Sequence, residues 1–112
     1  MSIYIKDKEN RLYEYRKELA KYNGYDIIIN ATFKGLEKRG NSKQLLLKNV
    51  TFDNNSPICE HIWGDFKKPN KKHEFLKKYK FGDKVKLLVK VKYYINNKGQ
   101  FNYGIKIKNV IE

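Results

Sequence analysis

The chain has 112 residues, 40% of them hydrophobic and 14% aromatic, with a formal net charge of +13. That length holds one domain with a modest core, and the hydrophobic fraction excludes general disorder. The single cysteine, Cys59, excludes an internal disulfide, and no stretch reaches the roughly 20 apolar residues of a membrane span.

The first residues, MSIYIKDKEN, contain no apolar run of signal-peptide length, so a reducing cytoplasm is the expected compartment. Asp7 to Tyr22 reads as an amphipathic helix, with Leu12, Tyr15, Leu19 and Tyr22 on one stripe. Asp7 suits the N-cap, and Asn23-Gly24 the left-handed stop. From Tyr25 the period becomes two. Tyr25, Ile27, Ile29, Ala31 and Phe33 form the apolar side of a half-buried strand. Gly35–Lys43 is expected to be a basic turn, and Gln44–Asp53 a second strand with a bulge at Lys48-Asn49. Asn54–Pro57 is a turn signal, and Ile58–Trp63 a short third strand.

Gly64–Lys72 reads as a basic connector and His73–Lys80 as a short helix. The clearest strand follows Phe81-Gly82-Asp83. There Val85, Leu87, Val89, Val91, Tyr93 and Ile95 point one way, and Lys84, Lys86, Leu88, Lys90, Lys92 and Tyr94 the other. Asn96–Gly99 carries hairpin chemistry, and the last strand alternates Phe101, Tyr103, Ile105 and Ile107 with Asn102, Gly104, Lys106 and Lys108.

The expected fold is mainly β, five strands with an N-terminal helix and a short helix between strands three and four. That order resembles the oligonucleotide/oligosaccharide-binding (OB) barrel over residues 25–112, with residues 1–24 as a helical extension of one compact domain. The segment Tyr79–Val85 (YKFGDKV) is similar to the turn that feeds the fourth strand in many OB proteins. In size and composition the chain also looks like small OB-type proteins of phages and mobile elements of AT-rich bacteria.

The charge is unevenly spread. Residues 1–60 carry a net +3 and residues 61–112 a net +10, with eleven lysines and two acids between Lys67 and Lys92. An AT-rich genome accounts for lysine over arginine but not for the missing acids. A lopsided charge calls for a polyanionic partner or a well-solvated face. The fourth strand sorts Lys84, Lys86, Lys90 and Lys92 onto one face, and Lys106 and Lys108 of the fifth extend it. The same lysines also suit a strand face that resists aggregation; the interleaved aromatic residues favour single-stranded nucleic acid.

The OB resemblance implies binding on strands two and three, between the loops joining strands 1–2 and 4–5. Those loops hold Lys38, Arg39, Lys43 and Lys98. Candidate stacking residues are Trp63, Phe52, Tyr94 and Phe66; Trp63 fits a core role equally well. Phe33, Tyr93, Phe101 and Tyr103 fall on the expected core side.

Catalytic chemistry has little to draw on. Cys59 and His61 share a strand face, but no orienting carboxylate or oxyanion site accompanies them. Cys59, His61 and His73 lack a zinc spacing, and no Gly-rich phosphate loop is present. No cofactor, metal, membrane or enzymatic role is expected. The leading expectation is binding of single-stranded DNA or RNA with little sequence preference. The alternative is an accessory subunit of a replication enzyme (polymerase, primase or helicase), docked through Leu12, Tyr15 and Leu19.

Overall fold

Alternating burial along five long strands produces a closed barrel. The computed structural model describes residues 3–6, 12–95 and 99–112, the side chains of Ile3, Leu12 and Tyr13 excepted. Two short strands, β1 (Ile3–Lys6) and β2 (Leu12–Tyr15), pair as an antiparallel ribbon, and a 3₁₀ helix spans Lys17–Tyr22. The barrel strands are β3 (Asp26–Arg39), β4 (Ser42–Phe52), β5 (Pro57–Phe66), β6 (Lys84–Ile95) and β7 (Phe101–Val110). The one α-helix among the described residues, α1 (Pro69–Lys78), connects β5 to β6. Around the barrel the order is β3-β4-β5-β7-β6, closed by the β3–β6 pairing, and only β5–β7 is parallel.

Ile29, Ala31 and Phe33 of β3, Leu45, Leu47 and Val50 of β4, and Val85, Leu87, Val89 and Val91 of β6 fill the interior with Ile62 and Ile107. Each fully buried aliphatic side chain of this kind contributes about 1.5–3 kcal/mol. The step from Leu47 to Val50 breaks the alternation, and Asn49 between them has φ +53° while the β4–β5 and β3–β4 registers both shift nearby. This is the bulge expected at Lys48-Asn49, where a short polar side chain tolerates the left-handed conformation.

Helix α1 starts earlier than the apolar spacing suggested, because Pro69 takes the first turn, where its missing N–H costs nothing. Its Phe75 closes one end of the barrel, 5.1 Å from Phe33 and 5.5 Å from Phe66. After α1, the Phe81-Gly82-Asp83 turn joins the sheet. Gly82 N–H donates to Phe33 O, Phe33 N–H donates to Asp83 O, and the Asp83 carboxylate accepts from Lys80 N–H.

Over the described residues 12–22 the N-terminal segment is not the expected α-helix. Pairing with Ile3–Lys6 and the bonds from Glu14 to β5 hold residues 12–15 extended, so tertiary partners override the helical spacing. The 3₁₀ helix still places Leu19 and Tyr22 together, since residues three apart eclipse in that geometry. Leu19 is buried in the barrel core, Tyr22 packs on Phe52, and Tyr15 packs on Phe101 and Tyr103. Leu19 and Tyr15, expected to dock a partner, are thus used within the fold; the Leu12 side chain and the Asp7 cap lie outside the described residues.

Residues 14–16 fill a gap in the barrel wall. β5 and β7 pair only at Gly64–Phe66 with Ile105–Ile107. Beyond that they diverge, and side chains replace the missing ladder. The buried Glu14 carboxylate accepts from the backbone N–H groups of Glu60 (2.8 Å) and His61 (3.3 Å) on β5. Asn102 of β7, also buried, donates to Glu14 O at 2.8 Å and accepts from Arg16 N–H at 3.0 Å. Arg16 then bridges to His61 O and Tyr103 O. These bonds bury Asn102 on a face that alternation alone assigns to solvent.

Two further departures are geometric. Gly35, at φ +105°, redirects β3 into a long hairpin with β4, so the expected basic turn is a ribbon closed at Gly40-Asn41. β6 and β7 run past the barrel rim, which leaves Tyr93 at 55%, Ile95 at 62% and Phe101 at 40% exposure, outside the core where alternation placed them.

Candidate functional site

Two hairpins flank a groove on the outside of β5 and β7. The β3–β4 hairpin contributes Arg39 and Gln44, β5 contributes Trp63, β6 Tyr94, β7 Gly104, and the seam segment Arg16; the groove encloses about 280 Å³. Strand alternation explains the grouping. Across the hairpin Glu37 faces Gln44 and Arg39 faces Ser42, whereas Lys38 pairs with Lys43 on the opposite side of the ribbon. Lys38 and Lys43 are therefore on the hairpin's other face from Arg39.

Trp63 is partly exposed and held from three directions. The Arg39 guanidinium lies 4.0 Å from the ring centroid, the His61 ring meets it edge-on at 4.8 Å, and its N–H donates to Glu37 Oε2 at 2.9 Å. Tyr94 is held from two. Its hydroxyl accepts from Arg16 Nη1 at 3.3 Å, and its ring rests on β7 at Gly104, where a Cβ would come within 3.3 Å of Tyr94 Cε1. A Cβ at 104 would push the ring back by a few tenths of an ångström, so glycine allows this close approach. With 43% of Tyr94 exposed, the site presents an aromatic ring fixed on a backbone floor. The Gln44 side chain bonds to none of the described residues, which leaves an amide donor and acceptor beside these rings.

The lysine stripe divides along its length. Lys86 pairs with Asp53 at 3.0 Å and Lys108 with Asp26 at 2.8 Å. The Lys108 hydrogen bond lowers the Asp26 carboxyl below its ordinary value, with Lys90 and Lys67 adding to the effect. Lys84 and Lys86 border a different groove of about 650 Å³, lined by Asn30, Thr32, Asn49 and Thr51, with no aromatic ring. Lys90, Lys92 and Lys106 lie beside the Tyr94 groove: Lys92 is the cross-strand partner of Gly104, and Lys90 that of Lys106. Lys98 lies outside the described residues.

Of the other expected stacking residues, Phe66 is buried against Phe75 and Phe52 packs on Tyr22. Arg16, Gln44, Glu37 and Gly104 were not singled out by sequence. A signal for Arg16 existed: in a chain that uses lysine almost throughout, only three arginines remain, and two of them, Arg16 and Arg39, line this groove. Arginine supplies a planar fork and a stacking face that lysine lacks.

Cys59 and His61 belong to the seam. Burial pushes the Cys59 thiol up to about 12, so it stays protonated near neutral pH, and His61 Nδ1 lies 3.8 Å from Glu14 Oε1. Among the described residues, no group of three His, Cys, Asp or Glu is placed to hold a metal ion, and no helix is long and apolar enough to cross a membrane. No protein-family model matches the chain, and no curated protein and no solved structure gives a significant match.

Proposed function

We propose that the protein binds single-stranded nucleic acid in the groove between the β3–β4 and β6–β7 hairpins, through base stacking and phosphate attraction. The observation that carries this reading is the convergence of Trp63 under Arg39 and of Tyr94 over Gly104 on one groove beside Lys90, Lys92 and Lys106, which pair with no acid among the described residues. Stacking on aromatic rings is tolerant of any base, and cations track the backbone.

The barrel supports the same conclusion. A closed five-stranded barrel with a helix between its third and fourth strands is compatible with the OB type, whose single-strand ligands lie on strands two and three between the loops joining strands 1–2 and 4–5. In this chain those strands are β4 and β5; the groove takes Gln44 from β4 and Trp63 from β5 and extends onto β7 at Gly104, between the two hairpins. At about 280 Å³ the groove is close to the lower bound of small-ligand pockets, roughly 300 Å³, and suits a base with its sugar.

Fluorescence-polarisation titration of the full chain with a labelled single-stranded oligonucleotide, at two salt concentrations, tests the proposal. Saturable binding that weakens with salt is expected. No binding at low salt overturns it.

A further inference from the structure

Lys90 and Lys106 are directly opposed on neighbouring strands, an arrangement in which like charges repel. Two carboxylates stand near them, Asp26 beside Lys90 on β3 and Asp65 beside Lys106 on β5. Both are bonded to other lysines: Asp26, whose carboxyl also feels Lys90, bonds Lys108 at 2.8 Å, and Asp65 pairs with Lys72 at 3.0 Å. Lys92 shares the outer face of β6 with Lys90 and Tyr94, and lies across from the glycine that floors the groove. No acid pairs with Lys90, Lys92 or Lys106 at ion-pair distance among the described residues.

Resting on the function proposed above, we infer that Lys92, Lys90 and Lys106 form a phosphate track that carries the strand out of the groove, and that Lys84 and Lys86 are not part of it. Tyr94, Lys92 and Lys90 recur every second residue along one strand, about 6.8 Å apart. That spacing is comparable to the separation of successive phosphates in an extended single strand. A base on Tyr94 thus leaves its next phosphates over Lys92 and then over the Lys90–Lys106 pair. The ligand's charge relieves the repulsion between the two opposed ammonium groups. At the far end of β6, Leu88 interrupts the row, Asp53 neutralises Lys86, and the adjoining groove has no ring for a base.

The experiment compares the salt dependence of single-strand binding for the wild type, a K90Q/K92Q/K106Q variant and a K84Q/K86Q variant. For single strands the slope of log affinity against log salt is roughly 0.7 per phosphate neutralised, so the triple variant should lose up to about 2 units of slope. The double variant should keep the wild-type slope. Equal losses in both variants, or an unchanged slope in the triple variant, overturn the track while leaving binding itself intact; a wild type that does not bind overturns the function beneath it. Should the triple variant fold poorly, the single K90Q and K106Q variants carry the comparison. A double-mutant cycle of Lys90→Gln and Lys106→Gln on the free protein's thermal stability should give a repulsive coupling that fades with salt. A zero or attractive coupling removes the premise.

Discussion

The guanidinium of Arg39 lies 4.0 Å from the centroid of the Trp63 ring, joining the tip of one hairpin to the wall of the barrel. The contact orders both side chains before any ligand arrives. Such pre-ordering cuts the conformational cost of binding. It also makes the only tryptophan of the chain a direct reporter on the groove.

Trp63 emission should therefore change on titration with single-stranded oligonucleotide. Trp63→Ala should weaken binding by about 1–3 kcal/mol if a base stacks there. Arg39→Lys should weaken it too, because an ammonium group does not reproduce the planar stack. An emission spectrum unchanged at saturation would place the ligand elsewhere.

Tyr94 separates stacking from anchoring. Tyr94→Ala should cost single-strand affinity about 1–3 kcal/mol. Tyr94→Phe keeps the ring but loses the bond from Arg16, so it should cost less than the alanine variant. Gly104→Val should displace the ring and resemble Tyr94→Ala in binding, with thermal melts checking that the barrel stays folded. Equal affinity in all three variants would remove Tyr94 from the interface.

The seam between β5 and β7 makes a stability prediction that needs no ligand. Glu14→Ala leaves the N–H groups of Glu60 and His61 without their acceptor, and Asn102→Ala does the same to Arg16 N–H and Glu14 O. Each variant should lose about 1–3 kcal/mol or more in denaturant unfolding, from buried polar groups left unpaired. A control at exposed Lys68 should stay within about 0.5 kcal/mol.

Cys59 predicts a pH response. Burial raises its thiol from 9.0 to about 12, so folding favours the protonated form. That contribution is fully present below 9.0 and is lost as the pH rises toward about 12. Alkylation near neutral pH should accordingly be slow in the folded protein and fast after unfolding in urea. Rapid modification of the native protein would show that the seam opens.

Much of the barrel was legible in local pattern. Period-two burial from Ile29 to Phe33 and from Val85 to Val91 specifies those strands, because a half-buried strand must separate its faces. The bulge at Asn49 and the Gly82-Asp83 turn were legible for a similar reason: each depends on residues whose backbone chemistry is local.

Only the tertiary structure decided the rest. A period cannot say where a strand leaves the barrel, so Tyr93 and Phe101 looked like core although they stand beyond its rim. Nor can it say that Glu14, Arg16 and Asn102 substitute for a missing ladder, since their partners lie 45 to 88 residues away. The lysine stripe on β6 follows from alternation alone. Which lysines of β6 and β7 meet an acid among the described residues depended on Asp53, after β4, which takes Lys86, and on Asp26 of β3, which takes Lys108. Alternation along one strand sets which side a charge is on; closure of the barrel sets which charges meet.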